Sequence, residues 1–139
     1  MNTKQLEREI RTQVNRVYPE LDLRGIYFSE GTENSPEGTY VYSRGNEFHV
    51  VFIEKGKRKT QEICHKLNEV LWNVLETVLF DVAMDYALKH RVEGKDFRRP
   101  LFKKEVELYG RFSKEFENRK RDEINQILKE NPYNDQFAF

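Results

Sequence analysis

Residues 67–88, LNEVLWNVLETVLFDVAMDYAL, carry the strongest periodic pattern in the chain. Leu67, Val70, Leu71, Val74, Leu75, Val78, Leu79, Val82, Ala83 and Tyr86 return at steps of three and four, which is helical spacing. Glu69, Asn73, Thr77, Asp81, Asp85 and Lys89 return every four residues and form one narrow polar stripe. A helix that is apolar around most of its circumference has to be covered by other elements. Its uninterrupted apolar runs fall far short of the roughly 20 residues that span a bilayer. The pattern predicts a central core helix, with the rest of the chain as its cover.

The flanking sequence supplies that cover. A chain of 139 residues fits a single domain, 1–139, large enough to bury a core. Residues 2–18 read as an amphipathic helix, with Leu6, Ile10, Val14 and Val17 on one face. Asn2 and Gln5 resemble a capping box, and Pro19 closes the helix. The period then drops to two. Ile26 and Phe28 alternate with polar neighbours, and a turn-rich loop follows at Glu30–Gly38. Tyr40 and Tyr42 flank Val41, Gly45-Asn46 makes a tight turn, and Phe48–Ile53 alternates before Gly56 turns the chain into Lys57–Ile63. These runs predict a three- to four-stranded antiparallel meander whose last strand is a Lys- and Arg-protected edge. Phe48, Val50 and Phe52, together with Tyr40 and Tyr42, are expected to face the central helix.

Beyond a break at Gly94 and Pro100, residues 101–110 read as a helix with Leu101, Phe102, Val106 and Tyr109 inward and Gly110 as its stop. Ser113 caps a last helix over 114–130, whose inner face is Phe116, Ile124, Ile127 and Leu128, and Pro132 ends it. The closing NDQFAF is expected to be a mobile tail. The fold class that results is α+β: an N-terminal helix, a small three- to four-stranded antiparallel sheet, a long central core helix, then two further helices.

Charge and chemistry narrow the function. Lys plus Arg and Asp plus Glu both number 24, so the net charge is zero, which disfavours a general nucleic-acid binder. Cys64 is the single cysteine, so no intramolecular disulfide forms. The N-terminus has no apolar signal core, and a cytoplasmic location is expected. His49, His65 and His90 are scattered without zinc-like spacing, and no nucleotide-binding, hydrolase or metalloprotease motif is present. No catalytic residue, cofactor or metal is therefore expected. Trp72 is assigned to the core.

Two segments have partner-binding character. Glu30, Glu33 and Glu37 share one loop, which is either a local acidic face or simply solvated. Between residues 89 and 104, seven cations (Lys89, Arg91, Lys95, Arg98, Arg99, Lys103, Lys104) stand against Glu93 and Asp96. Arg98 and Arg99, set between Phe97 and Pro100, either grip an anionic group of a partner or pair with Asp81 or Asp85 within the fold. Tyr27, Tyr40, Tyr42, Arg44 and Phe137 are further candidate anchors, since aromatic and Arg side chains dominate tight interfaces.

The pieces LW at 71–72, ALKHRVEGKDFRRPLFKKEVELYG at 87–110 and RKRDEINQILKENPYND at 119–135, with the Tyr-rich meander before them, resemble the bacterial polymorphic-toxin immunity proteins of immunity protein family 63. The resemblance covers roughly residues 40–135. It implies an α+β protein that is not an enzyme and that binds and blocks a cognate toxin C-terminal domain, as in contact-dependent inhibition. Apart from the resemblance, the zero net charge and the short apolar runs speak against nucleic acid and membrane as partners, and a monomer or weak dimer is expected. The family's aromatic and arginine positions map onto Trp72, Phe97, Arg98 and Arg99. The alternative is a small regulatory or adaptor domain that takes a peptide or anionic ligand at the basic 89–104 segment.

Overall fold

The chain starts with a helix fixed by its cap. In the computed structural model, which describes residues 1–32 and 34–135, α1 spans Thr3–Val17. The Asn2 Oδ1 accepts from the Gln5 N–H at 2.8 Å, and Gln5 Oε1 accepts from the Asn2 N–H at 2.8 Å. Two orphan donors of the first turn are thereby satisfied. Leu6, Ile10 and Val14 are fully buried along one face, as the spacing predicts.

The sheet contains β1 (Ile26–Tyr27), β2 (Gly38–Arg44), β3 (Glu47–Glu54) and β4 (Lys57–Cys64) in the order β1-β2-β3-β4. Both hairpin turns follow from glycine placement. Gly45 alone is left-handed in the β2–β3 turn (φ 62°), the arrangement of a type II′ turn. Lys55 and Gly56 are both left-handed (φ 52° and 75°), which is type I′ and matches the twist of the strands. β4 is the edge strand, exposed along almost its whole length and rich in Lys and Arg, as expected. Its pairing skips at Lys59, since Phe52 pairs with Thr60 and Ile53 with Arg58. Such a bulge further disrupts an edge against intruding strands.

Two expectations about the sheet need correction. β1 runs parallel to β2, not antiparallel, and is only two residues long. The loop after it brings the chain back beside the start of β1, where the Thr39 N–H donates to the Gly25 carbonyl at 2.9 Å. The second concerns the faces. The register sets Tyr40 opposite Val51 and Tyr42 opposite His49, while Val41 faces Val50, Thr39 faces Phe52 and Ser43 faces Phe48. Opposed residues share a face, so Tyr40 and Tyr42 lie with His49, Val51 and Ile53, away from Phe48, Val50 and Phe52. Tyr40, Tyr42, Val51 and Ile53 form a buried cluster, and Gly31 and Pro36 lie against it. Tyr40 Oη donates to the Pro36 carbonyl at 2.6 Å, and Arg58 Nη2 donates to the Gly31 carbonyl at 3.1 Å.

The helix α2 spans Leu67–Lys89. Its first half buries Val70, Leu71, Trp72, Val74 and Leu75. In its second half Leu79, Ala83 and Ala87 are buried, but Phe80 and Leu88 are exposed along with Asp81 and Asp85. The wetted side is thus broader there than the sequence stripe suggests.

Two more helices follow. α3 (Arg98–Phe112) begins three residues earlier than the apolar pattern indicates and runs past Gly110. Gly110 is not in the left-handed region, so nothing in its backbone stops the helix. Ser113 ends α3 and caps α4 (Lys114–Glu130), its Oγ accepting from the Phe116 N–H at 3.0 Å. α4 buries Phe116, Ile124 and, against expectation, Lys120, while Ile127 is exposed. The Lys120 ammonium lies 2.8 Å from Glu123, 3.8 Å from the buried Glu105 and 4.7 Å from the centre of the Tyr109 ring. Burying an ammonium requires such partners. By contacts the chain divides into two compact units, Met1–Thr77 and Val78–Phe139.

Candidate functional site

Most of the partner-binding candidates converge on the start of α3, where they bind one another. Asp96 precedes the helix, and its Oδ1 accepts from the Arg98 N–H at 2.9 Å, satisfying an orphan donor of the first turn. Its Oδ2 accepts from Arg98 Nη2 and from the Asn134 N–H, both at 2.9 Å. Arg98 then reaches the end of α4, where Nη1 donates to the Asn131 carbonyl at 2.9 Å and Nη2 to the Pro132 carbonyl at 2.8 Å. Carbonyls at a helix C-terminus lack partners of their own, so one guanidinium ties the beginning of α3 to the end of α4.

Arg99 completes a clasp. Its Nε and Nη2 donate to the two oxygens of Asp135, each at 3.0 Å, a bidentate fork. Asp135 Oδ1 also accepts from the Asp96 N–H at 2.7 Å. The Tyr133 ring lies under both guanidiniums, 4.2 Å from Arg99 and 5.5 Å from Arg98. The Arg98 guanidinium, followed by the N–H groups of Asn134 and Arg98, holds the Asp96 carboxyl well below the usual carboxylate range. Arg99 lowers Asp135 in the same way. Burial raises the Tyr133 phenol against the opposing pull of the two arginines.

Arg98 and Arg99 therefore pair within the fold, but with Asp96 and Asp135 in place of Asp81 or Asp85. Local geometry decides this: Asp96 lies two residues from Arg98, and the end of α4 brings Asp135 to Arg99. The sequence did hold a signal, an acidic residue before a Pro-containing first helical turn. Asn134 and Asp135, the first two residues of the expected mobile tail, are held in the clasp; residues 136–139 of that segment lie outside the described residues. Phe97 is half-buried, with the Arg91 guanidinium 5.6 Å from its ring centre.

The rest of the basic segment is largely neutralised. Lys89 pairs with Asp85 at 3.1 Å, Lys95 approaches Asp135 at 4.0 Å, and Lys104 pairs with Glu107 at 3.0 Å. Arg91 and Lys103 have no carboxylate partner among the described residues. Beside the clasp a groove of about 430 Å³ runs between α3 and α4, with Phe102, Val106, Leu128 and Tyr133 in its walls and Arg99 and Lys103 on its rim.

The candidates in the sheet region separate into surface and core. Arg44 forms an ion pair with Glu30 and lies 5.7 Å from the Tyr42 ring centre. The Arg44 hydrogen bond lowers the Glu30 carboxyl. Glu37 is exposed, and Tyr27 is partly exposed while stacked on Tyr40 at 4.9 Å. Tyr40 and Tyr42 are 2% and 3% exposed, so their rings build the core and not a surface. Glu33 and Phe137 lie outside the described residues. Trp72 is buried, as expected of a core residue.

The histidines also have structural surroundings. His49 is buried, its Nδ1 accepting from Gln61 Nε2 at 2.9 Å, with Nε2 3.3 Å from Glu47. His90 stacks on Tyr86 at 3.9 Å. Cys64 is buried. Among the described residues no three His, Cys, Asp or Glu side chains gather as metal ligands.

Comparison with known families gives one decisive result. The model of the family Immunity protein 63 matches residues 45–126, more than half of the chain. The chain belongs to the immunity protein 63 family. The matched segment of this immunity protein runs from the β2–β3 turn into α4 and includes Trp72, Asp96, Phe97, Arg98 and Arg99. The acceptor side of the clasp, Asn131 to Asp135, lies beyond it. Searches of curated proteins and of solved structures returned no match for this immunity protein.

Proposed function

We propose that this immunity protein acts by stoichiometric binding to a cognate toxin domain, occluding it without catalysis and so protecting the cell that makes it. The family match over residues 45–126 carries this reading. The side-chain environments support it, because His49, Cys64, Arg98, Arg99 and Asp96 are all engaged in holding the fold. Binding then falls to exposed groups, with Glu30, Glu37 and Arg44 as contact candidates from the sheet region. A cytoplasmic location is part of this proposal; no helix among the described residues is long and apolar enough to cross a membrane. The adaptor reading loses its main support, since most cations of the 89–104 segment already face carboxylates.

The test is co-expression with the toxin domain encoded beside the gene. Cell survival and co-purification as a one-to-one complex are the expected results. Continued killing with no complex, from a folded and expressed protein, overturns the proposal.

A further inference from the structure

The second half of α2 has an apolar ridge that the fold leaves uncovered. Phe80 is 45% exposed and Leu88 58% exposed, with the half-buried Met84 midway between them. The spacing i, i+4, i+8 sets the three on one helical ridge. Just past the helix end, Val92 adds another apolar side chain at 57% exposure. Exposed apolar residues scattered singly are ordinary, whereas an aligned ridge of them marks a contact surface.

The charges along the ridge are ordered. Asp81 stands beside its first half, and Asp85 lies just past its centre. Lys89 and Arg91 close its far end. Asp85 is paired with Lys89, but Asp81 is exposed with no ion pair among the described residues. A partner must therefore offer an apolar ridge with cations toward Phe80 and acids toward Leu88. The same ridge, reversed, meets that requirement.

We infer that the Phe80–Met84–Leu88 ridge is the contact between two copies of this chain, packed antiparallel about a two-fold axis near Met84. An isologous contact needs a self-complementary patch, and this one is nearly symmetric about its centre. Phe80 of each copy lies beside Leu88 of the other. Asp81 of each copy approaches the Lys89–Arg91 end of the other. Ridges of the i±4n kind interlock at a crossing angle of about 50°. One helix face is smaller than the ~800 Å² per partner of a standard interface, so the dimer is weak and forms with rising concentration. The contact is independent of the toxin reading.

Sedimentation velocity across a concentration series tests it on the full chain. Wild type shifts from monomer to dimer, and the shift weakens as salt is raised. Phe80→Glu and Leu88→Glu each weaken the association about tenfold or more while leaving the thermal melt in place, because both side chains are exposed. Asp81→Lys weakens it too, and adding Lys89→Asp and Arg91→Asp to that variant restores it. A wild type that stays monomeric up to several hundred micromolar overturns the inference. So does a dimer indifferent to all three ridge variants. If wild type is a monomer and the ridge variants lose protection against the toxin, the ridge belongs to the toxin contact and the dimer is again overturned.

Discussion

Arg98 shows how one side chain can be committed four ways, to the Asp96 carboxylate, the Asn131 and Pro132 carbonyls and the Tyr133 ring. Asp96 depends on it in return, and that dependence gives stability a pH signature. The folded Asp96 carboxyl titrates below its unfolded value of about 3.9. Its contribution is therefore complete above about pH 4 and fades as pH falls from there through the lower folded value. Asp96→Asn should cost on the order of 1 kcal/mol at neutral pH, and the gap to wild type should close below about pH 4. Urea midpoints of both proteins at neutral pH and in acid measure this; a gap independent of pH would show that the carboxylate charge is not what stabilises the clasp. Trp72 is a different case, since its contribution is volume. Trp72→Ala leaves a large cavity and should cost about 3–5 kcal/mol. An unchanged melting temperature would place the indole outside the core.

Among the elements, the parallel β1–β2 pairing depends most on a single position. Gly38 has φ 155°, and a Cβ there would lie 2.6 Å from the Gly25 carbonyl oxygen and 2.7 Å from the Tyr27 ring. Backbone cannot yield as a flexible side chain can, so Gly38→Ala should destabilise by about 1–3 kcal/mol and detach β1 first. Hydrogen exchange would show this as lost protection at the Thr39 amide; retained protection would show that β1 accommodates the methyl group. β4 is held by β3 on one side only, and its Lys and Arg side chains with the bulge at Lys59 restrain further strand addition. α3 and α4 are joined directly at Ser113, which serves as the end of one and the cap of the other.

For the molecule as a whole, net charge is the controlling quantity. With 24 cations balancing 24 anions, no long-range attraction steers a partner of either sign. On the proposed function, association with the toxin domain should fall in the unsteered range of about 10⁵–10⁶ M⁻¹s⁻¹ and change little with salt. Stopped-flow rates at low and high ionic strength check this. A steep fall with salt would mean that a local patch, such as the Glu30 loop, directs the encounter.

The sequence by itself determined whatever depends on neighbours a few residues apart. The capping box of Asn2 and Gln5, the Ser113 cap, the glycine turns, the buried face of α1 and the extent of α2 were all readable, because period and cap chemistry act within one or two turns. The burial of Trp72 followed from its place on the core helix, and the α+β class from the order of the patterns. Tertiary structure alone decided the rest. Register, which pairs residues on separate strands, assigned Tyr40 and Tyr42 to the face of His49 and Val51. The return of the loop after Tyr27 made β1 parallel. The end of α4 brought Asp135 to Arg99, more than thirty residues away in sequence, so a basic segment that looks open in the sequence is closed in the fold. The exposure of Phe80 and Leu88 is of the same kind, since an apolar residue on a helix is buried only if another element lies over it, and periodicity carries no record of where the neighbours stop.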